Sequence, residues 1–152
     1  MAKKKTKQKE NIPMAEEITL AVEWWSNELQ NNTKQDAGDS EVNLFMKVFA
    51  TRKEYLTQEQ IEVFEKELGS LLVSRCQENW REDNPSWCSY HRAFGVDYHP
   101  DKILQDALKK AGINPENTRL PIKTVMWINP GQVSVRKGYG VEIEDIFLKE
   151  SK

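Results

Sequence analysis

The sequence has few of the residues that mark disulfide-rich, membrane-spanning or strongly charged proteins. Its two cysteines, Cys76 and Cys88, are too few for a disulfide framework, which favours a reducing intracellular compartment. No apolar run approaches the roughly 20 residues of a membrane-spanning helix, and no stretch resembles a secretory signal. Lysine and arginine number 22 against 24 acidic residues, so the formal net charge is -2. Proteins that bind nucleic acid over a broad surface are usually far more basic, which argues against that class.

Tryptophan, in contrast, is abundant for a chain of 152 residues. The five tryptophans are Trp24, Trp25, Trp80, Trp87 and Trp127. A small core seldom needs so many large rings, so we expect some of them to serve an interface. Local patterns assign Trp24, Trp25 and Trp80 to the fold, whereas Trp87 lies in a polar loop without an obvious core partner. Trp127 lies in a predicted strand, where it is either a core residue or part of a partner-binding patch with Val125.

The first half of the chain reads as helical. Residues 1–13 are rich in lysine and predict a disordered basic tail, which is either simply solvated or acts as a nuclear address or RNA-contacting arm. A helix is predicted after Pro13, followed by a polar loop over residues 31–40 and a short amphipathic piece around Val42, Phe45 and Phe49. The spacing of Thr57 and Gln60 predicts a capping box that opens a long helix ending near Cys76.

The second half reads as mixed helix and strand. We predict a loop over residues 81–90, a short strand over 91–96, and a helix that starts at Pro100 and ends at Gly112. Strands are predicted over residues 124–128, 132–136 and 141–143, joined by tight turns. Helices first and strands last, without regular alternation, indicate a single α+β domain in which N-terminal helices pack on a small, mainly antiparallel sheet.

Three groups of residues are candidates for chemical sites. Cys76, Cys88, His91 and His99 lie within 24 residues, but their spacing matches no standard zinc site, so separate thiols and imidazoles are the favoured reading. A Cys88–histidine nucleophile pair lacks a recognisable orienting group. Asp97 and Asp101 are candidates for acid–base or metal chemistry, but we expect Asp101 to complement the dipole of the following helix. The sequence therefore predicts no enzyme, no metal site and no cofactor.

Two stretches resemble the signature boxes of the BTG/Tob antiproliferative family. The first covers residues 79–86 and 91–96, where a tryptophan, an Asn-Pro-Ser segment and an aromatic–Arg strand follow one another. The second covers residues 120–138, with Leu-Pro, then Thr-Val-Met-Trp-Ile-Asn-Pro, then Gln-Val-Ser-Val-Arg-Lys-Gly. The similarity extends over residues 14–147, with residues 31–55 resembling an insertion between the family's first two helices. It implies a BTG/Tob-like domain over residues 14–148, with 149–152 as a flexible C-terminus.

The resemblance implies a non-catalytic adaptor. Members of this family dock on the exonuclease subunit of the CCR–NOT deadenylase complex, and thereby regulate mRNA deadenylation and cell proliferation. By implication the chain acts in cytoplasm and nucleus, with transcription or RNA-binding regulators as further partners. Neither a membrane nor direct contact with nucleic acid is expected.

The resemblance also implies a set of partner-binding residues. The family's contact surface uses the aromatic residue before the arginine of the first box, and the tryptophan and aspartate of the second. Carried over by position these are His91, Trp127 and Asn129, of which Trp127 matches while histidine replaces tyrosine and asparagine replaces aspartate. Trp87, Pro130 and Gln132 complete the predicted surface. The alternative is a nucleic-acid-associated protein that uses the lysine-rich tail and the exposed aromatics Trp87 and His91 to stack bases.

Overall fold

The computed structural model describes residues 13–35, 56–117, 120–138 and 140–149. Most of the predicted basic tail, the amphipathic piece around Phe45 and residues 150–152 therefore lie outside the described residues. Lys149, placed in the predicted flexible C-terminus, donates its backbone N–H to the carbonyl oxygen of Gly131 at 2.8 Å.

The first helix, α1, spans Ala15–Gln35. Its predicted apolar stripe is buried as expected and consists of Ile18, Ala21, Val22, Trp25 and Leu29. The prediction of a polar loop from Asn31 is wrong, because the helix continues to Gln35. No proline or glycine, the two strongest helix breakers, interrupts residues 31–35, and residues 36–40 of the predicted loop lie outside the described residues.

The second helix, α2, spans Gln58–Cys76 and begins with the predicted capping box. The Thr57 Oγ1 accepts a hydrogen bond from the Gln60 backbone N–H at 3.0 Å, and the Gln60 Oε1 accepts one from the Thr57 N–H at 3.1 Å. Its buried face consists of Ile61, Phe64, Leu68, Leu72 and Cys76. These side chains pack against α1, whose Ser26 hydroxyl donates to the Glu65 carboxylate across the helix pair.

The third helix, α3, spans Lys102–Lys110 and packs on α2. Asp101 occupies the N-cap position, but its carboxylate makes no capping bond to the helix. It accepts a hydrogen bond from the Gly95 backbone N–H at 2.7 Å instead. Because Asp101 does lie at the N-terminal end of the helix, its expected role in complementing the helix dipole stays a prediction. The predicted C-terminal glycine is confirmed, since Gly112 has φ +76, a conformation that suits glycine.

Four antiparallel strands form one sheet in the order β1-β2-β3-β4. They span Ala93–Val96, Thr124–Asn129, Gln132–Lys137 and Glu144–Leu148. The strand predicted from residue 91 begins at Ala93, because Ser89–Arg92 form a 3-10 turn that buries the Arg92 side chain. The strand predicted over 141–143 is also wrong: Val141 and Ile143 are exposed, and β4 starts at Glu144 so that Ile146 and Phe147 pack against the core.

The core lies between the helices and one face of the sheet, which confirms the predicted α+β architecture. Trp25 is fully buried at its centre, 5.6 Å from Phe94 between ring centroids, and Trp24 packs edge-on against Trp25 at 4.9 Å. Trp80 is half-buried against the same core. These three rings therefore belong to the fold, as predicted. Among the described residues, no helix has the length and hydropathy needed to cross a bilayer.

Candidate interaction surface

Strand β2 divides its side chains between the core and the outer face of the sheet. Thr124, Met126 and Ile128 are buried, whereas Val125, Trp127 and Asn129 alternate with them on the opposite, half-buried face. This is the period-two pattern of a strand with one covered side. The open question about Trp127 is thus settled: its ring lies on the outer face, beside Val125, and is not a core residue.

The strand register places small residues on both sides of Trp127. Ala93 of β1 and Ser134 of β3 lie directly opposite it, while Gln132 lies opposite Asn129. Side chains in register on adjacent strands share a face, so these residues surround the indole without a second large ring. The outer face therefore presents Trp127 as its central aromatic side chain. The neighbouring side chains are small, so a partner surface can pack over them.

His91 and Trp87 precede β1 and extend this region with exposed aromatic rings. His91 belongs to the 3-10 turn Ser89–Arg92, which packs against β2, and its ring lies 4.3 Å from that of Tyr90, between centroids. Tyr90 is 73% exposed. Trp87 is 41% exposed, with the Arg81 guanidinium 5.3 Å from the ring centroid, a cation–π arrangement.

The remaining predicted contacts have partners within the fold. The Asn129 Oδ1 accepts a hydrogen bond from Arg92 Nη2 at 2.9 Å, so this oxygen supports a buried side chain. Pro130 is buried in the β2–β3 turn. Gln132 Nε2 donates to the Asp145 carboxylate at 3.0 Å. The structure thus brings Trp127, Asn129 and Gln132 to one face, with Trp127 alone offering a large unengaged apolar surface among these three.

Arg92, the arginine of the first signature box, has a structural role that the sequence pattern did not indicate. Its fully buried guanidinium donates to the carbonyl oxygens of Ile128, Asn79 and Pro85, and to the side-chain oxygens of Asn79 and Asn129. Burial lowers the pKa of Arg92 from its ordinary value, because desolvation disfavours the charged guanidinium. A charged residue within the otherwise apolar run 92–96 was the available signal. Through this network Arg92 joins the turn that follows α2, the loop and β2 beneath the outer face.

The four residues considered as a zinc site do not come together in the structure; they are Cys76, Cys88, His91 and His99. Across the described ranges, which include all four residues, no three His, Cys, Asp or Glu side chains lie close enough to hold a metal ion. Cys76 is fully buried on α2, as predicted, and burial raises the pKa of its thiol to about 11. Cys88 is partly exposed and adopts φ 57, in the left-handed region that L-residues rarely occupy. Asp97 forms an ion pair with Lys123 at 2.7 Å.

Comparison with known proteins assigns this arrangement to a family. A family model described as the BTG family matches residues 39–147. A BTG family protein of Dictyostelium discoideum is 31% identical over 123 residues, covering 80% of this chain and 24% of that protein. Protein BTG1 of Gallus gallus is 24% identical over 96 residues, covering 62% and 56%. Protein Tob1 of Mus musculus is 26% identical over 98 residues, covering 63% and 27%.

A solved structure supports the same fold. The BTG/Tob domain of FOG-3 from C. elegans superposes with a TM-score of 0.63 at 19% sequence identity, covering 88% of this chain and 82% of that chain. The chain spans between a quarter and just over half the length of the curated relatives named above. Because the family model matches well over half of the sequence, the chain belongs to the BTG family, and the resemblance of its two signature boxes is confirmed.

Proposed function

We propose that the protein is a non-catalytic adaptor that binds the exonuclease subunit of the CCR–NOT deadenylase complex and so regulates mRNA deadenylation and cell proliferation. Membership of the BTG family supports the regulatory role. The observation that carries the docking proposal is the position of Trp127, half-buried on the outer face while its strand neighbours Met126 and Ile128 are fully buried. Action in the cytoplasm and nucleus belongs to the same proposal.

Trp127 has the properties of an interface anchor. An indole has few rotatable bonds, and its apolar body loses little conformational entropy when a partner covers it. Truncation of such a residue at an interface typically costs about 2 kcal/mol or more, which corresponds to roughly 30-fold in affinity. His91, in the turn that packs against β2, supplies a second ring near the anchor, and Trp87 in the preceding loop is an additional exposed aromatic.

Asn129 contributes to this surface through Arg92. The side-chain oxygen of Asn129 already accepts a hydrogen bond from the buried guanidinium. We therefore expect Asn129 to affect partner binding indirectly, by holding the shape of the turn. An aspartate at this position, as in the family pattern, would place a carboxylate beside the same guanidinium.

The test is a quantitative binding measurement with the purified exonuclease subunit. Trp127→Ala is expected to weaken binding at least about 30-fold while circular dichroism remains that of the folded protein. Val73→Ala, which truncates an exposed apolar residue on α2, is the matched control and is expected to bind normally. Unchanged binding of Trp127→Ala, or no binding by the unmodified protein, would contradict the proposal.

A further inference from the structure

A row of three residues crosses the outer face next to Trp127. Gly95 of β1, Val125 of β2 and Arg136 of β3 lie opposite one another in the register. The Arg136 side chain is half-buried, and its Nε is fully buried without a hydrogen-bond partner in the part of the chain that the structure describes. A buried donor without an acceptor is costly, so the Arg136 side chain gains free energy when it turns its Nε–H toward an acceptor that an incoming molecule supplies.

The carboxylates around Arg136 are already engaged by other groups. Asp97 pairs with the Lys123 ammonium at 2.7 Å, and this hydrogen bond raises the pKa of Lys123. Asp101 accepts from the Gly95 N–H at 2.7 Å. These two carboxylates line the same cleft as Arg136, but they already interact with Lys123 and with the Gly95 N–H. The cleft is therefore lined by a guanidinium whose buried Nε–H has no acceptor within the described residues.

The cleft has room for a small acidic group. Its volume is about 390 Å³, and its lining includes Ala93, Gly95, Val125, Lys123 and Arg136. A Cβ at Gly95 would lie 1.9 Å from the Thr124 carbonyl oxygen, so the close approach of β1 to β2 beside the cleft requires glycine at this position.

We propose that this cleft, here called the Arg136 cleft, binds a carboxylate side chain of the protein partner that docks on Trp127. The inference rests on the proposed function in that it concerns the same outer face. Arginine binds carboxylates through directional paired hydrogen bonds, and the apolar side chains beside it favour a carboxylate next to an apolar residue. Asp97 and Asp101 also line the cleft, so a single carboxylate, whose charge the guanidinium can balance, fits better than the continuous negative charge of a nucleic-acid backbone.

The cleft can be tested without the deadenylase. In an NMR titration of nitrogen-15-labelled protein, the Nε–H resonance of Arg136, assigned by its loss in Arg136→Lys, is followed as phenylacetate is added. We expect this resonance to shift with phenylacetate and to stay in place with phenylacetamide, which has the same ring and no charge. No shift with phenylacetate, or an equal shift with the amide, would overturn the inference. A larger shift with inorganic phosphate would assign the cleft to phosphate instead and would also overturn it.

A second measurement connects the cleft to partner binding. Arg136→Gln is expected to weaken binding to the exonuclease subunit about 10-fold, with partial retention in Arg136→Lys, while Lys109→Gln on α3 binds normally. If Trp127→Ala weakens binding and Arg136→Gln does not, the role of the cleft in docking is refuted. If Trp127→Ala has no effect, the proposed function fails, whereas the phenylacetate titration still decides whether the cleft takes a carboxylate.

Discussion

At the scale of single residues, the environment of a side chain is set by distant parts of the chain. Arg92 draws its acceptors from Asn79, Pro85, Ile128 and Asn129, up to 37 residues away. The alternation of residues 124–128 predicted which face Trp127 and Val125 share, because period-two patterns are local. Which of these residues already has a partner is not a local property, and so the bond between Asn129 and Arg92 could not be predicted from the sequence.

Asn129→Asp tests whether the buried guanidinium lacks a counter-charge. The substitution places a carboxylate where the Asn129 oxygen lies 2.9 Å from Arg92 Nη2. Hydrogen bonds between charged groups contribute more than neutral ones, so we expect the free energy of unfolding in urea to rise by about 1 kcal/mol. Asn129→Ala, which removes the acceptor, should lower it by about 1–3 kcal/mol. If the aspartate variant is no more stable than the unmodified protein, the neutral acceptors already satisfy Arg92.

At the scale of elements, the helices were more predictable than the strands. The capping box of Thr57, the stripe of α1 and the glycine after α3 are signals carried by residues a few positions apart. The edge strands depend on other elements: β1 starts only after the turn that buries Arg92, and β4 is placed by the packing of Ile146 and Phe147. A hydrophobic alternation such as Val141–Ile143 predicts a strand only where the rest of the fold covers it.

The outer edge of β1 is closed by the start of α3. The Asp101 carboxylate accepts from the Gly95 N–H at 2.7 Å, and the Asp101 N–H donates to the Gly95 carbonyl oxygen at 2.9 Å. Both polar backbone groups of this edge residue are therefore paired, which protects the edge from pairing with another chain.

Asp101→Ala should consequently destabilise the fold more than an ordinary surface aspartate. Loss of a charged, part-buried acceptor is expected to lower the free energy of unfolding by about 2 kcal/mol. Asp106→Ala is the matched control, because Asp106 forms only an exposed ion pair with Lys102 one turn along α3 and should cost about 0.5 kcal/mol or less. Equal losses for the two variants, measured by urea unfolding, would show that the bond to Gly95 contributes little.

At the scale of the whole molecule, the first helix is fastened to the sheet by polar contacts as well as by the core. The Glu17 carboxylate, buried in the first turn of α1, accepts from the Gly131 N–H at 2.8 Å, joining residues 114 positions apart. The Lys137 ammonium lies 3.0 Å from the Glu28 carboxylate, about three turns further along α1 than Glu17. The β2–β3 hairpin that carries Trp127 and Arg136 is thus held against α1 at both its turn and its far end.

A comparison of variants at Glu17 and at its neighbour Glu16 distinguishes the contact between Glu17 and Gly131 from a local effect on the helix. Both are acidic residues of the first turn of α1, so loss of either removes the same charge from the positive end of the helix dipole. Only Glu17 bonds the hairpin, and Glu17→Ala would leave the Gly131 N–H without its acceptor. We expect Glu17→Ala to lower the free energy of unfolding by about 1–3 kcal/mol, and exposed Glu16→Ala by about 0.5 kcal/mol.

The same pair of variants also tests whether the interaction surface depends on the attachment of α1. Because Gly131 forms the turn between the strands that carry Trp127 and Arg136, Glu17→Ala should increase hydrogen exchange at the turn amides more than Glu16→Ala does. Glu17→Gln keeps an acceptor oxygen and should restore most of the protection. Identical exchange at Gly131 in the two alanine variants would mean that the core alone positions the hairpin, and that the polar contact with α1 adds nothing to the rigidity of the surface around Trp127.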